Sequence, residues 1–277
     1  MKISIGLPTA LPGTEGHLFA EWAIRAEKAG FASLGTIGRT VYDSYDELIV
    51  LAACASVTRR IGLATTVLIA PPRETVLLAK QASSLHCLSG GRLCLGLGVG
   101  WREDDFSVVG ADWSRRGSTL DAQLAKLKEI WSGDQIGPLQ QPRVPELMLG
   151  GAAPAALERA GRWADAYMAG PFETPVIAGY AQAVAAAAQR WGRPRPRFVT
   201  SRYFGLGDPQ WVDRNVQAYF DIGGPAAVAG ARAGVLESPE AIRQVLDEHR
   251  QIGADECCLW VQIPQLEQID RLAEIVF

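Results

Sequence analysis

SGGRLCLGLGVGWREDDFSVVGADWSRRGSTLD, residues 89–121, is the stretch on which the reading of this chain turns. Ser89-Gly90-Gly91 reads as a turn, and Arg92 to Leu97 as a strand buried on both faces. Alternating glycines follow at Gly96, Gly98 and Gly100, then an aromatic and acidic loop from Trp101 to Phe106, the pair Arg115-Arg116, and a helix opening near Ser118. Glycines at a strand end let a planar ligand approach the backbone, because no Cβ stands in the way. An arginine shortly afterwards can grip a phosphate with two parallel hydrogen bonds. Together these features suit a flat, phosphorylated cofactor, whereas the glycines alone favour the plainer reading of a strand packed against helices. A dinucleotide G-x-G-x-x-G would need glycine where Trp101 stands, and the Gly-Lys-Ser/Thr of a P-loop is absent.

Outward from this stretch, strands and helices alternate along the whole chain. Strands are expected at Lys2–Leu7, Phe31–Ile37, Ile61–Ile69, Arg92–Leu97, Glu146–Leu149, Ala166–Ala169, Arg197–Leu206 and Glu256–Ile263. Helices are expected at His17–Ala29, Asp46–Val57, Thr75–Leu88, from Ser118 onward, and at Pro154–Trp163, Thr174–Trp191 and Leu266–Val276. The first helix shows Leu18, Trp22, Arg25 and Ala29 at helical spacing, and the fourth Leu120, Leu124, Leu127 and Trp131. Gln135–Pro145 reads as a loop, and Asp208–Gly253 as helical with breaks at Gly223-Gly224-Pro225 and Glu237-Ser238-Pro239. Eight strands alternating with helices give an α/β fold, a (β/α)8 TIM-type barrel formed as a single domain over residues 1–277. Such a barrel places its ligand at the carboxyl ends of the strands.

The bulk properties exclude several classes. A net charge of −3 provides no general field for nucleic acid or an anionic membrane. No apolar run reaches membrane-span length, and Met1-Lys2 leads directly into a strand, so a cytoplasmic location is expected. Cys54, Cys87, Cys94, Cys257 and Cys258 show no metal-ligand spacing and read as reduced thiols, and no metal site is expected. His17, His86 and His249 all fall in expected helices and are assigned to surfaces.

The stretch 89–121 closely resembles the luciferase-like family of flavin- and deazaflavin-dependent oxidoreductases, as do residues 30–67, 77–92, 146–167 and 238–256. The resemblance independently implies the barrel. It also implies a cis peptide at Thr66-Val67, where the third strand ends against one face of the flavin ring. Gly98, Val99 and Gly100 would lie beside the ring or its ribityl chain. Arg116 falls near the family's phosphate-binding arginine, with Arg115 as the fallback. Gly150-Gly151-Ala152-Ala153 would offer backbone N–H groups to the phosphate at a helix amino end.

At the end of the second strand, Gly38 and Arg39 stand where relatives carry a carboxylate and a catalytic histidine. Arg39 stays protonated and cannot act as a base. It is read either as a catalytic group that stabilises an anion or as a structural ion pair with Asp43 or Asp46. Trp101, Tyr203 and Trp260 are candidates for an aromatic substrate pocket, with Ser201 a weaker one. The implied activity is a monooxygenase taking externally reduced flavin mononucleotide (FMN) and dioxygen to a small organic substrate. The alternatives are hydride transfer with the deazaflavin coenzyme F-420, and a flavin-binding protein without catalysis. A separate flavin reductase and a homodimer are the expected partners.

Overall fold

A computed structural model describes residues 1–142 and 144–277. The strands are β1 (Lys2–Gly6), β2 (Ser33–Thr36), β3 (Gly62–Thr65), β4 (Leu68–Ile69), β5 (Leu93–Gly98), β6 (Glu146–Gly150), β7 (Ala166–Met168), β8 (Arg197–Phe204) and β9 (Glu256–Val261). All pair in parallel in the order β3-β2-β1-β9-β8-β7-β6-β5-β4, and a further β3–β5 pairing closes the sheet into a barrel. β3 and β4 are two halves of one barrel strand, so the eightfold reading holds. The break falls at Thr66-Val67, whose peptide bond is cis as the resemblance implied.

The closure is built from side-chain chemistry as well as ladder bonds. Leu63 and Ala64 register with Leu93 and Cys94. Beyond them the Thr65 hydroxyl donates to the Gly96 carbonyl at 2.7 Å and accepts from the Gly96 N–H at 2.8 Å. A Cβ at Gly96 would stand 2.0 Å from the Thr65 carbonyl oxygen, so only glycine lets the two strands meet. Arg92 secures the foot of the same corner. Its guanidinium donates to the carbonyls of Ala55, Thr58, Ile61 and Ser89 and to the Thr58 hydroxyl, tying the end of α2 to the start of β3. Gly90 and Gly91 ahead of it take positive φ values of 69° and 87°, which accounts for the Ser-Gly-Gly-Arg turn.

The helices are α1 (Leu18–Ala29), α2 (Glu47–Val57), α3 (Thr75–Leu88), α4 (Asp104–Ser107), α5 (Arg116–Ser132), α6 (Pro154–Trp163), α7 (Thr174–Arg190), α8 (Pro209–Phe220), α9 (Gly224–Ala233), α10 (Pro239–Gln251) and α11 (Glu267–Val276). α5 buries Leu120, Leu124, Leu127 and Trp131 as its spacing indicated. α1 buries Trp22 as its spacing indicated, but the rest of its buried face is Phe19, Ala23 and Ala26, with Leu18, Arg25 and Ala29 only partly covered and Arg25 paired with Glu21. The expected loop before β6 is present, apart from residue 143, which lies outside the described residues.

Two of the three histidines correct the surface assignment. His17 is exposed, but His86 is buried under α3 and His249 is fully buried between α10 and β8. His249 Nδ1 lies 2.8 Å from the Thr200 hydroxyl, while Nε2 is buried without a partner. Burial first, then the charge of Arg202, pushes its pKa down to about 4. The unfolded chain therefore binds a proton below about pH 6.5 that the folded chain refuses until about pH 4. Stability should fall as pH drops through that window, by a contribution on the order of 3 kcal/mol. Denaturant midpoints measured between pH 7 and pH 4.5 should drop less steeply in His249→Gln; an identical slope would assign the loss to other groups.

Candidate active site

The carboxyl ends of the strands converge as a barrel requires, and the corner at Thr66-Val67 sits among them. Thr66 donates its hydroxyl to the Thr36 carbonyl at 2.9 Å and accepts from the Trp260 indole N–H at 3.1 Å. Trp260 thereby reaches across the mouth from β9 to β3. The Val67 side chain packs between two of the glycines singled out in the sequence. A Cβ at Gly98 would meet Val67 Cγ2 at 2.7 Å, and one at Gly150 would meet Val67 at 3.2 Å and 3.3 Å. The glycines read as clearance for a ring thus first make room for Val67. Gly100 and Gly151 take positive φ, 70° and 134°, and Val99 lies between β5 and this turn. The Gly151 carbonyl accepts from the Tyr167 hydroxyl at 2.9 Å.

Arg116 opens α5 with its guanidinium carbon 3.8 Å from the centre of the Trp113 ring, and it donates to the Trp113 carbonyl at 3.0 Å. Among the described residues no carboxylate pairs with it, whereas Arg159 nearby is bonded to Asp121 and to the Gly117 carbonyl. Arg115 is exposed. Arg159 ties α6 to the start of α5. At the amino end of α6, Ala153 supplies no side-chain cap, and Gly151, Ala152 and Ala153 are at least partly exposed. A half-buried guanidinium resting on an indole, without a carboxylate partner among the described residues, and an uncapped helix start are each of a chemistry that fits a phosphate group.

Arg39 is paired, but with partners the sequence reading did not choose. Its guanidinium donates to Asp104 at 2.7 Å and to Asp105 at 3.1 Å, and Asp105 also accepts from the Thr40 and Val41 N–H groups. Asp43 instead accepts from the Gly13 N–H, and Asp46 caps α2 and pairs with Arg73. The side chains of Arg39 and Asp105 are almost wholly buried, so this ion pair holds the β2 loop against the β5 loop. The space beside Gly38 also has an occupant: a Cβ there would lie 2.7 Å from the Glu47 carboxyl carbon. Burial raises the Glu47 pKa, against the pull of Arg73 at 2.8 Å. A carboxylate therefore does stand at this strand end, supplied by α2.

A crevice at the mouth is lined by Ile37, Tyr203, Tyr219, Phe220 and Trp260, among others, and its volume is about 20 Å³. Tyr203 packs on Trp260 with ring centres 5.0 Å apart and meets Phe220 edge-on at 6.0 Å. Burial raises the Tyr219 hydroxyl to about 12 and holds that of Tyr203 well above its ordinary value, so both remain neutral donors. Trp101, read as a pocket wall, stands outside the crevice: it is half exposed and stacks on Arg102 at 4.3 Å. Arg102 continues to the Tyr219 ring at 4.9 Å and donates to the Tyr219 carbonyl, fastening α8 over the mouth. Ser201 donates to the Ala169 carbonyl and is fully buried. Arg102 was passed over beside Trp101 in the loop after β5, and Tyr219 and Phe220 were missed because they come from a helix outside the strand-end pattern. The adjacent aromatic pair Tyr219-Phe220 was their one local signal.

This geometry, a parallel barrel whose wall turns through a cis corner at Thr66-Val67, defines a class. The chain belongs to the luciferase-like monooxygenase family, whose model matches residues 1–255. It is similar to an uncharacterised protein of Mycobacterium bovis, 32% identical over 139 residues, covering 45% of this chain and 48% of that one. The match thus spans about half the length of that relative. In fold it is similar to the monooxygenase RslO1 from Streptomyces bottropensis, with a TM-score of 0.80, 20% identity, and coverage of 99% of this chain and 97% of that one. It is equally similar in fold to an F-420-dependent secondary alcohol dehydrogenase in complex with a coenzyme–acetone adduct, with a TM-score of 0.81, 16% identity, and coverage of 100% and 98%.

Arg116→Ala should weaken binding of a phosphate-bearing flavin roughly 10- to 150-fold, the equivalent of a charge-assisted bond of about 1.5–3 kcal/mol, while Arg115→Ala leaves it unchanged. Titration by fluorescence quenching checks this, and the reverse ranking would move the clamp to Arg115.

Proposed function

We propose that this protein is a flavin-dependent monooxygenase that receives reduced FMN from a separate reductase and oxygenates a small, largely apolar organic substrate. The observation that carries this reading is the chemistry of the crevice. Its lining is apolar apart from two neutral phenols and two amides, Asn215 and Gln262, with no histidine or carboxylate. Such a lining supplies no general base and no acid of ordinary carboxyl strength, so the reacting power has to come with the cofactor. Reduced flavin, when bound, supplies the electrons that activate dioxygen.

The roles left to this chain are binding, orientation and exclusion of water. Arg116 and the amino end of α6 would hold the phosphate. The Thr66-Val67 corner, with Val67 seated against Gly98 and Gly150, would support the ring. Tyr203 and Tyr219 donate hydrogen bonds to an oxygen that gains negative charge. Tyr219 and Phe220 close the mouth, so α8 must shift to admit a ring. The Arg39–Asp104–Asp105 pairing is structural in this account, which removes Arg39 from direct chemistry.

F-420-dependent hydride transfer is the second reading, favoured by Glu47: a buried carboxyl with a raised pKa beside Gly38 is an acid near the mouth that could deliver a proton. A single set of mixtures separates the two. Pure protein with FMN and NADH or NADPH should leave the nucleotide unoxidised. Photoreduced FMN mixed with air-saturated buffer should then reoxidise at a rate changed by the protein. Binding of F-420 with no binding of FMN, or nucleotide oxidation without a reductase, would overturn the proposal.

A further inference from the structure

Beneath the candidate site lies a second cavity, of about 170 Å³, that enters the barrel from its amino-terminal face. Its lower wall is charged. Arg197 bridges Glu256 at 2.6 Å and Glu146 at 2.8 Å, and Ser33 donates to Glu256 at 2.9 Å. Lys2 at this rim is exposed and Glu146 half exposed, so the mouth meets solvent. Higher up the lining turns apolar, with Ala64, Cys94, Met148, Val199 and Cys258, and the uppermost residue is Thr66. From Gly62 to Thr66 the chain climbs roughly 13 Å at about 3.3 Å per residue. Side chains normally fill the interior of an eight-stranded barrel in layers. Here small residues leave the axis open, and Ala64 and Cys94 stand side by side in the register.

We propose that this cavity is a shaft leading small neutral molecules, dioxygen in particular, from the amino-terminal face to the underside of Thr66. Its charged rim stays hydrated, while its apolar upper part favours an uncharged gas over water. The delivery of dioxygen rests on the flavin reading above, but the shaft itself does not, and the two are tested separately. Cysteines on and off the lining provide the measurement. Cys94 and Cys258 face the shaft at the level of Ala64, Cys94 near Arg197 and Cys258 against Gly35. Cys54 and Cys257 are fully buried and lie off it, and burial raises the pKa of all four. Differences in labelling therefore report access rather than acidity.

The folded protein is treated with methylmercury chloride, a small neutral probe, and the labelled sites are mapped by mass. Cys94 and Cys258 should react roughly tenfold or more faster than Cys54 and Cys257, which wait for local unfolding. Ala64→Leu, which fills the shaft at the level of both cysteines, should slow Cys94 and Cys258 roughly tenfold and leave Cys54 and Cys257 unchanged. Should that variant fail to fold, Cys94→Leu plugs the same level and Cys258 is read again. Labelling of Cys258 no faster than Cys257, or unaffected by either plug, overturns the shaft. With the shaft established, the plugged variant should raise the dioxygen KM of the photoreduced-FMN reaction. An unchanged dioxygen KM overturns delivery, and a protein that does not react reduced flavin with dioxygen at all overturns the flavin reading instead.

Discussion

The contact on which the structure depends is the one between Thr65 and Gly96. Barrel closure brings β3 against β5, and the Thr65 hydroxyl replaces two ladder bonds by bonding both the N–H and the carbonyl of Gly96. No side chain fits at position 96, because its first carbon would overlap the Thr65 carbonyl. With the strands pinned there, the chain leaves the barrel wall at Thr66-Val67 and rejoins it at Leu68, opposite Leu97. The excursion points Val67 into the mouth, where the absence of side chains at Gly98 and Gly150 gives it a seat. One closure contact therefore shapes both the barrel and the face it offers to a ligand.

The electrostatics of the mouth are divided by the same geometry. Arg39 and Arg102 lie close together over the rim. The first is neutralised by Asp104 and Asp105, and the second is anchored on aromatic faces and on the Tyr219 carbonyl. Arg116, by contrast, has no carboxylate partner among the described residues and rests on Trp113. A guanidinium whose carboxylate partners are already satisfied serves structure, and one that lacks them is available to an anion. That difference, rather than position in the sequence, separates the residues holding the β2 loop from the one suited to a phosphate.

Much of the architecture was legible because it is local. Strand and helix periodicities, the Ser-Gly-Gly-Arg turn and the buried stripe of α5 all follow from neighbours in the chain, and the cis bond from resemblance. What escaped depends on partners far apart in sequence. Nothing near Arg39 announces Asp104 and Asp105, sixty-five and sixty-six residues on. Nothing near Gly38 announces that Glu47 fills its space. The residues of the expected strand 61–69 do not themselves show its break, because Thr65, Thr66 and Val67 are all β-branched and look like continuous strand; the resemblance alone put one there. His249 reads as a helical surface residue until β8 covers it. The glycines at 98 and 150 showed that something approaches closely, and only the fold shows that Val67 does so first.

The central claim, that Val67 seated against Gly98 organises the mouth, is tested most directly by a double-mutant cycle in chemical denaturation. Gly98→Ala places a carbon 2.7 Å from Val67 Cγ2 and should destabilise the chain. In a Val67→Ala background the same substitution should cost less, with a coupling of about 0.5–3 kcal/mol. Additivity within about 0.5 kcal/mol would mean the two residues do not press on each other, and would contradict the account.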